Sequence, residues 1–435
     1  MEISIVYSVT SFVFLLALLA VGVPIAFALG IVGIALGCVI TGWDVVAGII
    51  STLAYGRLGV YGFTVIPLFI LMGNFAFEAG VAEDVYDIGY KWLGRLPGGI
   101  VAATMFSCGL FAAICGSSAA TAATIGKISI GEMEKYRYDR KIATGAVAIG
   151  GTLGPLIPPS IVMVIIGAIG QISIGKLLIA VLLPGALLMV FFIIGSVVIA
   201  LLRPKLAPVS PVTFSWRERI SSLKGSWLII VTFIVVLGGI YAGIFTPTEG
   251  AAVGSFMTFL LLALRRRTQL GKSVMRSFSD TVVTSTMIFT IILGCIVFNY
   301  SLIISGFIPW LVEIVTGLPV PPMTLLVGLL LIYLPLGMFL EVASLLIITI
   351  PIFLPIISGL GLSPIWFGVL AAAMAEIATV TPPVGINVYV VHGVAPHVPL
   401  MDIFRGVLPF LFFNFIAIGI LIAFPQISLF LPGIM

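Results

Sequence analysis

The residues of this chain that could do chemistry are few, and they sit where the chain is most apolar. Ser117 and Ser118 follow Gly116 in "CGSSAAT", with Thr121 and Thr124 a turn further on. Thr152, Gly154, Pro155 and Ser160 lie in "GTLGPLIPPS" (151–160); Ala378, Thr379, Thr381 and Asn387 lie in "ATVTPPVGIN" (378–387). Gly337, Glu341 and Ser344 form a fourth group, in "GMFLEVAS". Hydroxyls, backbone carbonyls and one carboxylate are oxygen ligands. A helix interrupted by Pro and Gly bares N–H groups at one half-end, which suit an anion, and carbonyls at the other, which suit a bare cation such as Na⁺. The chemistry these residues offer is ion and anion binding.

Acid–base, metal and redox chemistry have little to work with. The two histidines, His392 and His397, are too few for a metal or haem site. Cys38, Cys108, Cys115 and Cys295 lie in apolar runs without C-x-x-C spacing and read as small buried hydrophobes. With no H-E-x-x-H motif and no nucleophile–base pair at membrane depth, an enzyme is not expected, and no cofactor beyond a coupling ion is implied. A passive channel would differ by Na⁺-independent flux.

The elements holding these residues must be membrane helices. The 435 residues are 61% hydrophobic and 8% charged, with a mean hydropathy of +1.31. Runs such as 11–40, 177–202, 226–245 and 406–424 are each long enough to cross about 30 Å of hydrocarbon. The expectation is an all-α polytopic protein with about ten to twelve spanning or half-spanning segments. A β-barrel would alternate with period two and does not fit. The N-terminal stretch lacks a basic region and a cleavage site, and reads as a first membrane helix. Basic residues cluster at Lys127–Lys141, Arg203–Lys224 and Arg265–Arg276, which the positive-inside rule places in the cytoplasm. That puts the "TPTEG" link (246–250) on the periplasmic face.

The two Pro-Pro pairs, Pro158-Pro159 and Pro382-Pro383, are separated by 224 residues (382 against 158). The same shift takes Pro97 to Pro321 and Ala119 to Ala343; one residue more takes Pro184 to Pro409. Loops that are basic in the first copy are uncharged in the second, as expected of an inverted repeat. The chain then reads as one transmembrane domain over 1–435. Repeat 1 spans about 60–200, with a hairpin at 97–126 and a broken helix at 143–170. Repeat 2 spans about 281–425, with a hairpin at 321–354 and a broken helix at 366–392. Only 31 residues separate Arg95 from Lys127, too few for two full crossings, so both hairpins are expected to be re-entrant. Their tips, at "CGSS" (115–118) and Gly337–Ser344, would meet the broken helices near the midplane.

Several segments carry a resemblance. "IPLFILMGNFAFEAGVAEDVYDIGYKWLGRLPGG", "GSSAATAATIGKISIGEM", "GGTLGPLIPPSI", "GGIYAGIFTPTEGAAVG" and "TPPVGINVYV" are similar to the large permease subunit of TRAP transporters (tripartite ATP-independent periplasmic transporters, DctM type), across essentially the whole chain. The resemblance implies an elevator-type symporter of the bacterial inner membrane that imports a carboxylate, such as a C4-dicarboxylate, with Na⁺. It also implies two partners, a small DctQ-type membrane subunit and a periplasmic DctP-type binding protein; nucleic acid is not among them. The alternative is a standalone ion-coupled carboxylate carrier. Three positions depart from the family: Cys115 where Ser is frequent, Gly131 in place of Pro before Glu132-Met133, and Glu341 where Asp is common.

The expected substrate ligands are Ser117, Ser118, Thr121, Glu341, Ser344 and Asn387. Those for Na⁺ are Gly116, Ser118, Thr152, Gly154, Pro155, Gly337, Ala378 and Thr381. Glu249, beside "TPT", is expected to cap or pack a helix. For Glu376, polar packing and ligand orientation both remain open. Arg57, within 44–60, is placed on an interfacial helix that could brace the small subunit.

Overall fold

In hydrocarbon every backbone N–H and C=O must be paired within the protein, and this chain meets that demand with helices. The computed structural model describes residues 2–209 and 214–435, excluding the side chains of 2, 53–55, 57 and 58. The Arg57 side chain thus lies outside the described residues. All regular elements among the described residues are helical.

The chain opens with α1 (Glu2–Ala20), α2 (Ile25–Thr41) and α3 (Trp43–Leu58). A first set follows: α4 (Val65–Glu78), α5 (Val81–Leu93), α6 (Gly99–Cys115), α7 (Ser118–Lys135), α8 (Arg140–Gly151), α9 (Ile161–Gly170), α10 (Ile174–Ala180) and α11 (Leu182–Leu202). Two long helices, α12 (Trp216–Tyr241) and α13 (Pro247–Arg265), lead to a second set. This comprises α14 (Leu270–Ile304), α15 (Phe307–Thr316), α16 (Pro322–Gly337), α17 (Val342–Gly359), α18 (Pro364–Ala378), α19 (Ile386–Val394) and α20 (Leu400–Ala423), after which α21 (Gln426–Ile434) closes the chain. Shifted by 224 residues, the bounds of α7 become those of α17. Those of α6, α8 and α9 fall within three residues of α16, α18 and α19.

Among the described residues, eight helices are long and apolar enough to cross a membrane, or nine if the pair of α8 and α9, bent by 43°, counts as one. Shorter apolar helices account for the rest of the expected segments. One long run divides differently from its hydropathy. Residues 11–40 are not one crossing, because Gly22 and Pro24 end α1 and start α2 between them. The limbs α6 and α16 have 17 and 16 residues, about 24–26 Å at 1.5 Å per residue, less than the hydrocarbon thickness. Their partners have 18 residues each, and α7 runs on to Lys135, past the expected end of the first hairpin at 126.

Close approach of backbones holds the helices together, since lipid supplies little hydrophobic drive between them. Where α8 crosses α20, a Cβ on Gly145 would lie 2.6 Å from the Gly406 Cα. Where α2 crosses α14, a Cβ on Gly33 would lie 2.6 Å from backbone atoms of Phe298. Under the second pair, Tyr333, Phe353 and Phe367 pack ring to ring across α16, α17 and α18, with centroids 5.8–6.5 Å apart. Arg265 joins three elements: it ion-pairs with Asp84 and donates to the carbonyls of Ala79 and Gly225.

Gly145→Leu, which drives a side chain into the α20 backbone, is expected to lower stability by about 3 kcal/mol or more. Gly131→Leu meets nothing within 4 Å and should leave stability unchanged or slightly raised. Thermal melting of the two purified variants checks the contrast.

Candidate functional site

Each of the four predicted groups of polar residues falls at a point where a helix stops and another starts. At the first tip α6 ends in Gly116, whose φ of +63° is a left-handed conformation open to glycine at little cost. Ser117 then caps α7, its Oγ accepting from the Ala120 N–H at 3.4 Å. At the second tip Glu341 does the same for α17, its carboxylate accepting from the Ser344 N–H at 3.2 Å. Ser117 and Glu341 are related by the 224-residue shift. One structural duty is therefore done by a hydroxyl in the first set and a carboxylate in the second.

The first break runs from Thr152 to Ser160, with a short 3₁₀ turn over Gly154–Leu156, and every residue in it is buried. Thr152 Oγ1 donates to the Ile149 carbonyl at 2.6 Å, and Ser160 Oγ restarts the helix by accepting from the Met163 N–H at 3.2 Å. In the second break Thr379 and Thr381 each donate to a carbonyl of α18, Glu376 and Ile377, at 2.7 Å. The Asn387 N–H closes the loop on the Thr379 carbonyl at 3.0 Å. Gly385, with φ +63°, turns the chain into α19. Both Pro-Pro bonds are cis. The two ends differ in exposure. Pro382, Pro383 and Glu341 are exposed, whereas the first break is closed.

Close approach brings the four groups together. A Cβ on Gly154 would lie 2.6–2.8 Å from the backbone of Ser117 and Ser118, seating the first tip on the first break. A Cβ on Gly151 would meet the Ser118 carbonyl at 2.8 Å and the Asn387 Nδ2 at 3.4 Å, so the second break reaches the same spot. A Cβ on Gly116 would lie 3.3 Å from the Pro159 carbonyl oxygen. At the other end a Cβ on Gly337 would touch the Ala378 Cβ at 2.6 Å, seating the second tip on the end of α18. Ser344, buried, stays within the Glu341 cap.

Glu376 joins the two ends. Sequence left its role open, and the structure buries it completely, with Glu341 and the Ser118 side chain as the polar groups facing it. Neither of its oxygens is in hydrogen-bonding geometry with a partner; the same holds for both amide atoms of Asn387 and for Thr121 Oγ1, all at 0% exposure. Buried polar atoms are normally paired, and an unpaired carboxylate costs several kcal/mol. Three side chains in this state, on α7, α18 and α19, make a candidate place for polar groups from outside the chain. Four of the five atoms are oxygens, two carboxylate, one hydroxyl and one amide, a chemistry that suits a hard cation. Glu341, by contrast, is exposed.

Two other features lie away from this centre. Glu249 forms a capping box with Thr246, the carboxylate accepting from the Thr246 N–H at 2.8 Å, as its T-x-x-E spacing implies. A cavity of about 760 Å³ lies among Val60–Phe63, the end of α9, Thr246–Thr248 and the last turns of α14. Its walls are mostly apolar and include none of the candidate ligands, so cavity and polar centre are distinct.

Broken helices around a buried polar centre, in a bundle of apolar helices, define a polytopic membrane protein of the transporter class. The family model described as tripartite ATP-independent periplasmic transporter, DctM component, matches residues 12–427, and the chain belongs to that family. It is 32% identical to the C4-dicarboxylate TRAP transporter large permease protein DctM of Vibrio cholerae, over 98% of this chain and 97% of that one. It is 30% identical to the sialic acid TRAP transporter large permease protein SiaM of the same organism, over 96% of each. Among solved structures, the YdaH transporter of Alcanivorax borkumensis aligns with a TM-score of 0.68 over 93% of this chain and 98% of that one. At 13% identity this likeness concerns the fold alone.

Gly151→Val would push a branched side chain against Ser118 and Ala122. A misplacement approaching 1 Å at a binding centre costs about a hundred-fold in rate, and a loss of uptake of that order is expected with membrane insertion intact. Transport assayed beside membrane-fraction yield checks both halves of this expectation.

Proposed function

We propose that this chain is the large membrane subunit of a Na⁺-coupled secondary transporter of the bacterial inner membrane. It imports an organic carboxylate, C4-dicarboxylate-like or another organic acid, which a periplasmic binding protein delivers. A small membrane subunit works beside it. The observation that carries this reading is the convergence of two tips and two helix breaks on one set of unpaired polar side chains.

Carbonyls around Gly151–Pro155 and the Thr152 hydroxyl, with Gly116, Ser117 and Ser118 opposite, hold one Na⁺. Gly337, Ala378 and Thr381 hold a second. Thr152 and Thr381 spend their hydroxyl protons on helix carbonyls, which leaves oxygen lone pairs for a cation. The carboxylate lies against Ser117, Ser118, Thr121, Glu341, Ser344 and Asn387.

Electrostatics supply the coupling. An anion about 6 Å from an ionised Glu341 or Glu376 is repelled by about 3 kcal/mol at an effective dielectric of about 20. Na⁺ bound between them reverses that sign, so the anion is admitted only with the cation. The two repeats face opposite sides of the membrane and their hairpins are re-entrant. The body formed by α6–α9 and α16–α19 moves as an elevator against the remaining helices.

Purified chain and small subunit, reconstituted in vesicles with the binding protein outside, should take up labelled carboxylate only with an inward Na⁺ gradient. Uptake without any binding protein would favour a standalone carrier; uptake without Na⁺ would sink the coupling. Ser117→Ala and Thr381→Val should each raise the Na⁺ concentration for half-maximal uptake by about ten-fold, the loss of one oxygen contact. An unchanged Na⁺ dependence in both variants would remove these two residues from the site.

A further inference from the structure

One face of α12 joins cations to an apolar stripe in the order a phospholipid needs. Arg217, Ser221 and Lys224 share one side of the helix, and Trp227, Ile230 and Ile234 continue from it around the exposed half of α12, Ile230 lying on the edge opposite Ser221. Its first two turns form a groove of about 640 Å³, lined by Arg217, Glu218, Ile220, Ser221 and Lys224. Below it Trp227, Ile230 and Ile234 are exposed, at 59%, 38% and 60%.

The groove is cationic in effect as well as composition. Glu218 also lines it, one of its carboxylate oxygens accepting from both the Ser215 N–H and hydroxyl at 2.7 Å, which leaves two cations against one anion. Neither Arg217 nor Lys224 belongs to an ion pair among the described residues. The neighbouring Arg219 is spent on the ring of Trp216, 5.2 Å from its centroid.

Depth fits the same occupant. The carbonyl of Gly225 accepts from Arg265 at the end of α13, so α12 projects beyond that helix end by nine residues, about 13 Å. The projecting turns carry Trp216, 68% exposed, at the level where aromatic side chains anchor in headgroups. They also belong to a basic stretch that the positive-inside rule assigns to the cytoplasm.

We propose that this face of α12 is a binding site for an anionic phospholipid of the cytoplasmic leaflet. The phosphodiester sits between the Arg217 guanidinium and the Lys224 ammonium, with Ser221 Oγ as a further donor, and the acyl chains follow Trp227, Ile230 and Ile234. A free phosphate would use the cations alone, whereas the apolar continuation of the groove selects a lipid. The site is independent of the transport centre and of the ion that couples it.

The test uses the full-length chain, purified in detergent and examined by native mass spectrometry. It is titrated with phosphatidylglycerol, with phosphatidylcholine of the same acyl chains, and with phosphatidylglycerol in the presence of inorganic phosphate. Phosphatidylglycerol should be retained preferentially and resist displacement by phosphate. Arg217→Gln combined with Lys224→Gln should weaken its apparent affinity about thirty-fold, about five-fold per basic group. Arg217→Lys should keep most of it. Unchanged melting of the double variant without lipid shows that it is folded. Equal retention of the two lipids, an unaltered double variant, or displacement by phosphate alone would each overturn the proposal. So would expulsion of the lipid when the small membrane subunit is added, which would make this face a protein interface.

Discussion

A peptide group that leaves its helix at membrane depth has no water to turn to, and each unpaired group there costs several kcal/mol. This chain stops helices at four places within a bundle of apolar helices, and the rest of its architecture follows from making that tolerable. The broken ends are stacked on one another: the first tip on the first break, the second tip on the end of α18. Side chains close what the backbone opens. Ser117, Glu341 and Ser160 cap restarting helices, while Thr152, Thr379 and Thr381 return their protons to carbonyls of the helices just ended. The closeness this requires explains why Gly151 and Gly154 have no room for a Cβ.

Leaving buried polar groups unpaired demands rigidity elsewhere, because a loose shell would let them find partners of their own. Glycine contacts between α8 and α20, and between α2 and α14, bring backbones together where lipid provides little drive for association. The Tyr333–Phe353–Phe367 cluster fixes the second pair of helices on α18. With those packings in place, Asn387, Thr121 and Glu376 stay unpaired inside the protein. Binding energy is then available to a ligand without first breaking internal bonds.

Much of this frame is legible in one dimension. Pro-Pro pairs with flanking Gly announce broken helices, and at their 224-residue spacing the helix bounds of the two sets line up. The Thr246–Glu249 spacing announces a cap. Local rules suffice where the determinant is local. They fail where it is not: the division of 11–40 at Gly22 and Pro24 is hidden inside a uniformly apolar run. Glu376 is the clearest case. Its neighbours in sequence are all apolar or small, and its role comes from Ser118 and Glu341, residues 258 and 35 positions away (118 and 341 against 376). Only tertiary packing brings these three together, so propensity and periodicity could not separate a packing role from a ligand-orienting one.

The 224-residue shift also pairs Thr152 with Glu376, as it pairs Ser117 with Glu341. Both acidic side chains of the centre therefore come from the second set, and their counterparts in the first are neutral hydroxyls. A molecule held between the sets faces one uncharged wall and one acidic wall. The centre is keyed: a guest with a negative end and a hydroxylated end has a single comfortable way round. The helix bounds of the two sets match, and these two side chains give the matched frame a direction.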